Sequence, residues 1–431
     1  MAFRFRRQPQ KSIYILICVL IILFFRLPSW ALRNLLPSWR PRRKWSFGRA
    51  LIVEIINAAT AIMSETHFPT PESLDKLALS ANKTGFVWVE PTPDLITGEV
   101  LHFAKLNGVA PATIGGFWYG LKGLDNSVGQ RASPDEKLIY HLHGNGGPSF
   151  SPSTVTIDGY LSHFPQINRV FALEYRLASG PPFPAQNPFP AALVDVIAGY
   201  HYLIHKIGFA PQNIIVSGDS AGGILTYQLA RYLATVGSSV IPQAGALLLL
   251  SPSADSGLHA PPGSSMHTNR RADYVRTWFE SAYVPPALLG KLPREELNRP
   301  WLSPGSPVLN DADVVRIFTG FPPTFILAGE AEMSRDAMRT LRDRMRGDMG
   351  EEAVRYVEIA DAPHDFVGIS IFEPERTAGL EAIAIWLDYL DLNCLAYLLL
   401  NPVFSGGRIC VKAGTAEQSG IMSHLLRKKA V

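Results

Sequence analysis

The sequence predicts an α/β fold, a mostly parallel sheet with helices on both faces, and three observations predict it. From residue 137 onward, short apolar runs rich in β-branched and aliphatic residues alternate with longer stretches of helical period, the succession that threads helices across a parallel sheet. One run, residues 213–217, passes through Gly218-Asp219-Ser220-Ala221-Gly222-Gly223 directly into residues 224–233, whose apolar positions repeat at three- and four-residue steps. A strand there turns sharply into a helix at a serine set between glycines. Composition agrees: 431 residues, 47% hydrophobic and 18% charged, suit one large globular domain with additions, or two small ones.

Residues 13–25 form an unbroken apolar run, with Arg4, Arg6, Arg7 and Lys11 before it and Arg26 after it. The run is short of the about 20 residues of a bilayer-spanning helix and closer to the hydrophobic region of a signal peptide. Arg26, however, separates it from the small-residue site Ser29-Trp30-Ala31, and apolar character resumes over 27–36. The expectation is an N-terminal basic region, 1–44, carrying a signal anchor at 13–25 with snorkelling arginines. The alternative is a signal removed on secretion. Six basic residues follow the run (Arg26, Arg33, Arg40, Arg42, Arg43, Lys44) against four before it, which favours a cytosolic C-terminal side. The sequon Asn82-Lys83-Thr84 makes Asn82 a glycosylation site only on a luminal side, so the orientation stays open.

A second amphipathic stretch, 45–63, is expected on the membrane surface or in a cap. Strands follow at 86–90, 101–106 and 116–119, separated by Gly and Pro as at the antiparallel start of a sheet. Further strands are expected at 137–142, 169–175, 213–217, 246–250, 324–328 and 354–359, with helices at 191–207, 224–235 and 334–346. The catalytic body is expected over 45–393, with a cap from 45–85 and 255–311, and with 394–431 as a C-terminal extension.

A bare G-x-S-x-G arises by chance in a chain this long with an expectation of about 0.15, so Ser220 needs its context. Strand, tight turn and helix supply it: Gly218 and Gly222 lack the Cβ atoms that would collide in such a turn, and the helix start aims free N–H groups at an oxyanion beside the serine. His143-Gly144-Asn145-Gly146-Gly147 follows the strand ending at Leu142 and suits backbone donation to the same oxyanion. Asn145 stands where the middle glycine of the usual H-G-G-G loop would be, and asparagine is among the residues best able to adopt positive φ. The expected oxyanion hole is Asn145, Gly146 and Ala221. A strand-turn serine of this kind is followed in chain order by its acid and then its histidine. His364 lies just past the strand at 354–359, whereas His424 falls in a basic tail, so His364 is the candidate base. The acid belongs in the turn after 324–328, where Glu332 is preferred over Glu330 and Asp336.

The net charge of +3, with the basic excess at the termini, excludes a nucleic-acid partner. Cys18, Cys394 and Cys410 form no CxxC pair, so neither a disulfide framework nor a zinc site is implied. The pairs His141/His143 and His201/His205 lack a third ligand. No metal and no cofactor are expected.

The histidine-glycine loop, Tyr175-Arg176-Leu177-Ala178 followed by Pro188-Phe189-Pro190-Ala191-Ala192, the GDSAGG turn, and Glu332-Met333-Ser334-Arg335-Asp336 together resemble the hormone-sensitive-lipase-like branch of the α/β-hydrolases, over about residues 138–390. Within it the chain looks like the membrane-anchored deacetylases typified by arylacetamide deacetylase and fungal steryl acetyl hydrolase. The resemblance implies an endoplasmic-reticulum membrane protein that removes acetyl or short acyl groups from a small hydrophobic ester. It departs from the family at Asn145, at Ser334 where relatives often carry leucine, and in the tail after Asn393. By analogy 255–311 caps the site, with Trp278, Phe279 and Tyr283 facing substrate. The expected activity is a serine carboxylic-ester hydrolase acting through Ser220, His364 and Glu332. The alternatives are an acyltransferase or tailoring hydrolase of a fungal secondary pathway using the same residues, and a non-catalytic binding protein on the same scaffold.

Overall fold

A computed structural model of the chain describes residues 3–67, 72–144, 153–237, 239–281 and 283–400. The chain divides into two compact units, Met1–Ala384 and Ile385–Val431; the sheet and the candidate site belong to the first.

Eight strands form one sheet in the order β1-β2-β4-β3-β5-β6-β7-β8: β1 (Phe86–Val89), β2 (Ile114–Gly120), β3 (Lys137–Leu142), β4 (Ile167–Glu174), β5 (Ile214–Asp219), β6 (Ala246–Leu250), β7 (Thr324–Gly329) and β8 (Val354–Ile359). The first two pairings, β1 with β2 and β2 with β4, are antiparallel, and the rest are parallel. Strands β5, β6 and β7 are buried along their whole length, as a sheet covered on both faces requires. Register sets the carboxyl ends side by side: Leu142 opposite Gly218, Asp219 opposite Leu250, Leu250 opposite Leu327, Gly329 opposite Ile359. The crevice outside those ends is where open α/β sheets carry their sites.

The helices Ala191–His201 and Ala221–Val236 bury most of their residues. The expectation at 101–106 is corrected: these residues belong to a helix, Gly98–Asn107, closed by Gly108 at φ +66°. Val100, Phe103, Ala104 and Asn107 are its buried face, a helical spacing that outweighs the local alternation of Leu101 and Phe103.

At the N-terminus the helix runs well past 13–25. It extends over Gln10–Asn34, its most apolar 18-residue window has mean hydropathy 2.4 and no buried residue, and it continues through a π-turn at Ile22–Arg26. Its 25 residues rise about 37 Å, more than the roughly 30 Å of a hydrocarbon core. The helix Phe47–Glu65 is also long and apolar enough to span a membrane, and a third of it is buried; Ser46 Oγ caps it by accepting the Arg49 N–H at 3.1 Å.

Candidate active site

Ser220 occupies the turn between β5 and the helix Ala221–Val236 at φ +51°, ψ −111°, a strained conformation for a residue with a side chain. Its neighbours allow it. A Cβ on Gly222 would run into the Leu142 carbonyl, and one on Gly218 into the Gly222 carbonyl. The Ser220 N–H is tied to the Leu250 carbonyl at 2.9 Å, so the hydroxyl is held up at the end of the sheet.

His364 lies in the turn after β8, buried, with Nε2 2.9 Å from Ser220 Oγ. Its Nδ1 is 2.8 Å from Oε2 of Glu332, which lies in the turn after β7 and is fully buried. The Glu332 carboxylate accepts three further hydrogen bonds: Oε1 from Ser251 Oγ at 2.7 Å and from the Gly329 N–H at 2.5 Å, and Oε2 from Ser334 Oγ at 3.1 Å. Four donors on one buried carboxylate fix its direction. A second carboxylate, Asp365, stands 3.2 Å from His364 Nε2. Burial pushes the imidazolium of His364 down, but Asp365 and Glu332 beside it outweigh burial and raise it well above the ordinary histidine value.

Of the expected oxyanion donors, Asn145 and Gly146 lie outside the described residues, and Ala221 opens the helix after Ser220 and lines the pocket. The loop's first glycine is pinned from below: Asp219 Oδ2 accepts the Gly144 N–H at 2.9 Å, while Oδ1 faces His141 Nε2 at 3.3 Å. Burial raises the Asp219 carboxyl, but the His141, His143 and Gly144 contacts outweigh that and leave it below its ordinary value.

Above Ser220 and His364 is a cavity of about 510 Å³, within the size range of small-ligand sites. Its walls include Ile56, Thr60 and Met63 of the helix Phe47–Glu65, and Trp278 and Phe279 from the segment between β6 and β7. The ring of Phe279 meets the His364 imidazole edge-on, centroids 6.3 Å apart. Tyr283 is not on this wall. Its ring packs against Phe3 and Phe183, and its hydroxyl accepts the Gly180 N–H at 3.4 Å, because the helix Val284–Leu289 begins at the next residue and turns Tyr283 outward. Asn82 is exposed on the short helix Ala81–Thr84. His141 is buried against Asp219 and Tyr160, and His201 stacks on His205.

Sequence reasoning missed Asp219, Ser251, Asp273, Ser334 and Asp365 as supports. Asp219 and Asp365 stand next to the serine and the histidine, and their positions were the available signal. Asp273, fully buried, accepts the Met333 N–H at 2.6 Å behind the acid turn, and burial lifts its carboxyl to about 6. Nothing local distinguishes it or Ser251, which reach the site only through the fold.

The comparisons with known proteins bear on the fold. A family model described as alpha/beta hydrolase fold matches residues 140–368, more than half of the chain. An acetyl-hydrolase of Streptomyces hygroscopicus is 30% identical over 212 residues, which are 49% of this chain and 62% of that protein. An esterase of Acinetobacter venetianus is 26% identical over 267 residues, 60% of this chain and 76% of the esterase. Among solved structures, an esterase from the bacterial hormone-sensitive lipase family superposes with a TM-score of 0.50 at 22% identity, covering 80% of this chain and 98% of that one, a likeness of fold. The strand order, the serine turn between β5 and its helix, and the matched segment lead to one conclusion: the chain belongs to the alpha/beta hydrolase fold family.

Proposed function

We propose that the protein is a serine carboxylic-ester hydrolase that removes a short acyl group from a hydrophobic substrate. The observation that carries the reading is the unbroken relay Ser220 Oγ, His364 Nε2 at 2.9 Å, His364 Nδ1 to Glu332 Oε2 at 2.8 Å, opening into a largely apolar cavity. Ser220 attacks the ester carbonyl as His364 takes its proton; the resulting imidazolium, steadied by Glu332, returns that proton to the leaving alcohol. Water then repeats the cycle on the acyl-serine and releases the acid. The fully buried, fourfold hydrogen-bonded Glu332 suits the orienting role, since it fixes the tautomer that leaves Nε2 free to accept.

The acetyl-hydrolase and esterase relatives support cleavage of a short acyl ester, and the largely apolar cavity supports a hydrophobic substrate. The exposed apolar helix Gln10–Asn34 supports a membrane anchor ahead of the catalytic body. The endoplasmic reticulum follows from the resemblance to the anchored deacetylases alone. Hydrolysis of p-nitrophenyl acetate, butyrate and palmitate by the full chain, beside Ser220→Ala, tests the reading. Acetate and butyrate turnover that vanishes in the variant is expected; equal background rates in both proteins would overturn it.

A further inference from the structure

The segment that follows the N-terminal helix is bound to the two turns that carry Glu332 and His364. Arg40 folds it first: its guanidinium donates to the carbonyls of Asn34 at 2.9 Å, Leu35 at 3.2 Å and Trp45 at 2.7 Å. Arg42 then reaches the acid turn, where a single nitrogen, Nη2, donates to Asn269 Oδ1 at 2.7 Å and to the Glu330 carbonyl at 3.0 Å. Asn269 passes the contact on, its amide donating to the carbonyls of Glu330 at 2.8 Å and Glu332 at 2.7 Å. Trp45, 1% exposed, donates its indole N–H to the Asp361 carbonyl at 2.8 Å, three residues before His364. Arg49 closes the far end, held between the rings of Trp45 and Phe372 and paired with Glu375 at 2.7 Å.

The two turns are also joined to each other. The Asp361 N–H donates to Glu330 Oε2 at 3.0 Å, and the Ala331 N–H to the Ala362 carbonyl at 2.9 Å. The N-terminal segment therefore braces, from outside, the pair of turns whose spacing sets the Glu332–His364 contact. Asp361 holds φ +60°, a left-handed conformation that aspartate tolerates better than most side chains, and Trp45 tethers its carbonyl.

We propose that residues 40–49 are a strap that sets the geometry of the catalytic acid and base, with Arg42 and Trp45 as its positioning residues. The segment behind the apolar helix is then part of the active site and not only its tether. The inference rests on the reading of Ser220, His364 and Glu332 as the catalytic set. It assigns a division of labour: the strap controls turnover through the relay, whereas Ile56, Thr60 and Met63 on the following helix meet the substrate in the cavity and control its binding.

The test compares the full-length protein in detergent with Arg42→Gln, Arg42→Lys, Trp45→Phe and, as a control, Arg4→Gln, whose exposed pair with Glu65 touches neither turn. Active sites are counted by labelling with a fluorophosphonate, and kcat and KM for p-nitrophenyl butyrate are expressed per labelled site. Arg42→Gln and Trp45→Phe are expected to lower kcat about tenfold with KM within about twofold, inside the roughly hundredfold that a 1 Å misplacement costs. Arg42→Lys should recover most of the loss, because one nitrogen makes both hydrogen bonds and a lysine keeps the positive charge that Nη1 brings to 3.6 Å from Glu330 Oε1, and Arg4→Gln should match the parent. Trp45→Phe keeps an aromatic ring in the buried slot but loses volume as well as the N–H, so its effect is read beside Arg42→Gln, which leaves that slot intact. Unchanged kcat per labelled site in both Arg42→Gln and Trp45→Phe, or a loss confined to KM, overturns the strap. A parent protein that neither labels nor turns over would instead overturn the underlying ester-hydrolase reading.

Discussion

The carboxylate of Asp365 stands 3.2 Å from Nε2 of His364, the same nitrogen that faces Ser220 Oγ at 2.9 Å. Burial lifts the Asp365 carboxyl to about 7, helped by Asp219 and Glu332 and opposed by His364. His364 is in turn raised well above its ordinary value, because Asp365 and Glu332 outweigh its burial. A histidine serves as base only when neutral, so a raised imidazolium moves the acidic limb of activity to higher pH. That limb should lie above about 6.5, the ordinary histidine value. Asp365→Asn removes the negative charge at Nε2, and the limb should move to lower pH. A profile of kcat/KM against pH, followed by acid release in a pH-stat, checks the direction; an upward move or no move contradicts it.

Ser251 and Ser334 donate to opposite oxygens of Glu332. A hydrogen bond to a buried charged group is worth about 1.5–3 kcal/mol. Ser251→Ala and Ser334→Ala should therefore each lower kcat by roughly tenfold to a hundredfold, with the fold retained by circular dichroism. Glu332→Gln should cost more, on the order of 10³- to 10⁴-fold, since it loses the charge that steadies the imidazolium. Steady-state kinetics on p-nitrophenyl butyrate decide the ranking.

Much of this was legible in the chain. The strand-turn-helix at Ser220 and the parallel sheet after residue 137 follow from local pattern, because turn chemistry and apolar period are local properties, whereas Glu332 and His364 were chosen by the chain order expected after such a turn. Residues 101–106 misled for the same reason: four or five apolar positions fit either period, and the buried set at 100, 103, 104 and 107 emerges only from packing. Tyr283 was invisible as a residue of the outer layer, since its direction depends on where the next helix starts. Arg40 and Arg42 read as flanking charge beside an apolar run, but the fold engages both, and Arg42 reaches a carbonyl 288 residues away. No window on the sequence contains such a contact.

Gly222 lies against the Leu142 carbonyl, with no room for a Cβ. Gly222→Ala must displace backbone at the junction of β3 and the serine turn, an overpacking that side-chain motion cannot relieve. A loss of more than about 3 kcal/mol is expected, seen as a fall in melting temperature or in soluble yield. Gly347, with open space around it, should accept alanine with little change.

Trp278 and Phe279 line the cavity, so alanine at either position should enlarge it and favour longer acyl chains. One methylene in an apolar pocket is worth about 1–3 kcal/mol, and the octanoate-to-acetate ratio of kcat/KM should rise severalfold. Tyr283→Ala, behind the wall, should leave that ratio near the parent value. Equal responses at all three positions would contradict the pocket wall described above.

Trapping Ser220 tests whether it is a nucleophile activated through His364 and Glu332. The full-length protein is treated with a fluorophosphonate, and its peptides are mapped by mass spectrometry, with His364→Ala in parallel. One stoichiometric adduct is expected, on Ser220, forming at least about a hundredfold more slowly in His364→Ala. An adduct on another residue, or labelling of Ser220 at the same rate in both proteins, would contradict it.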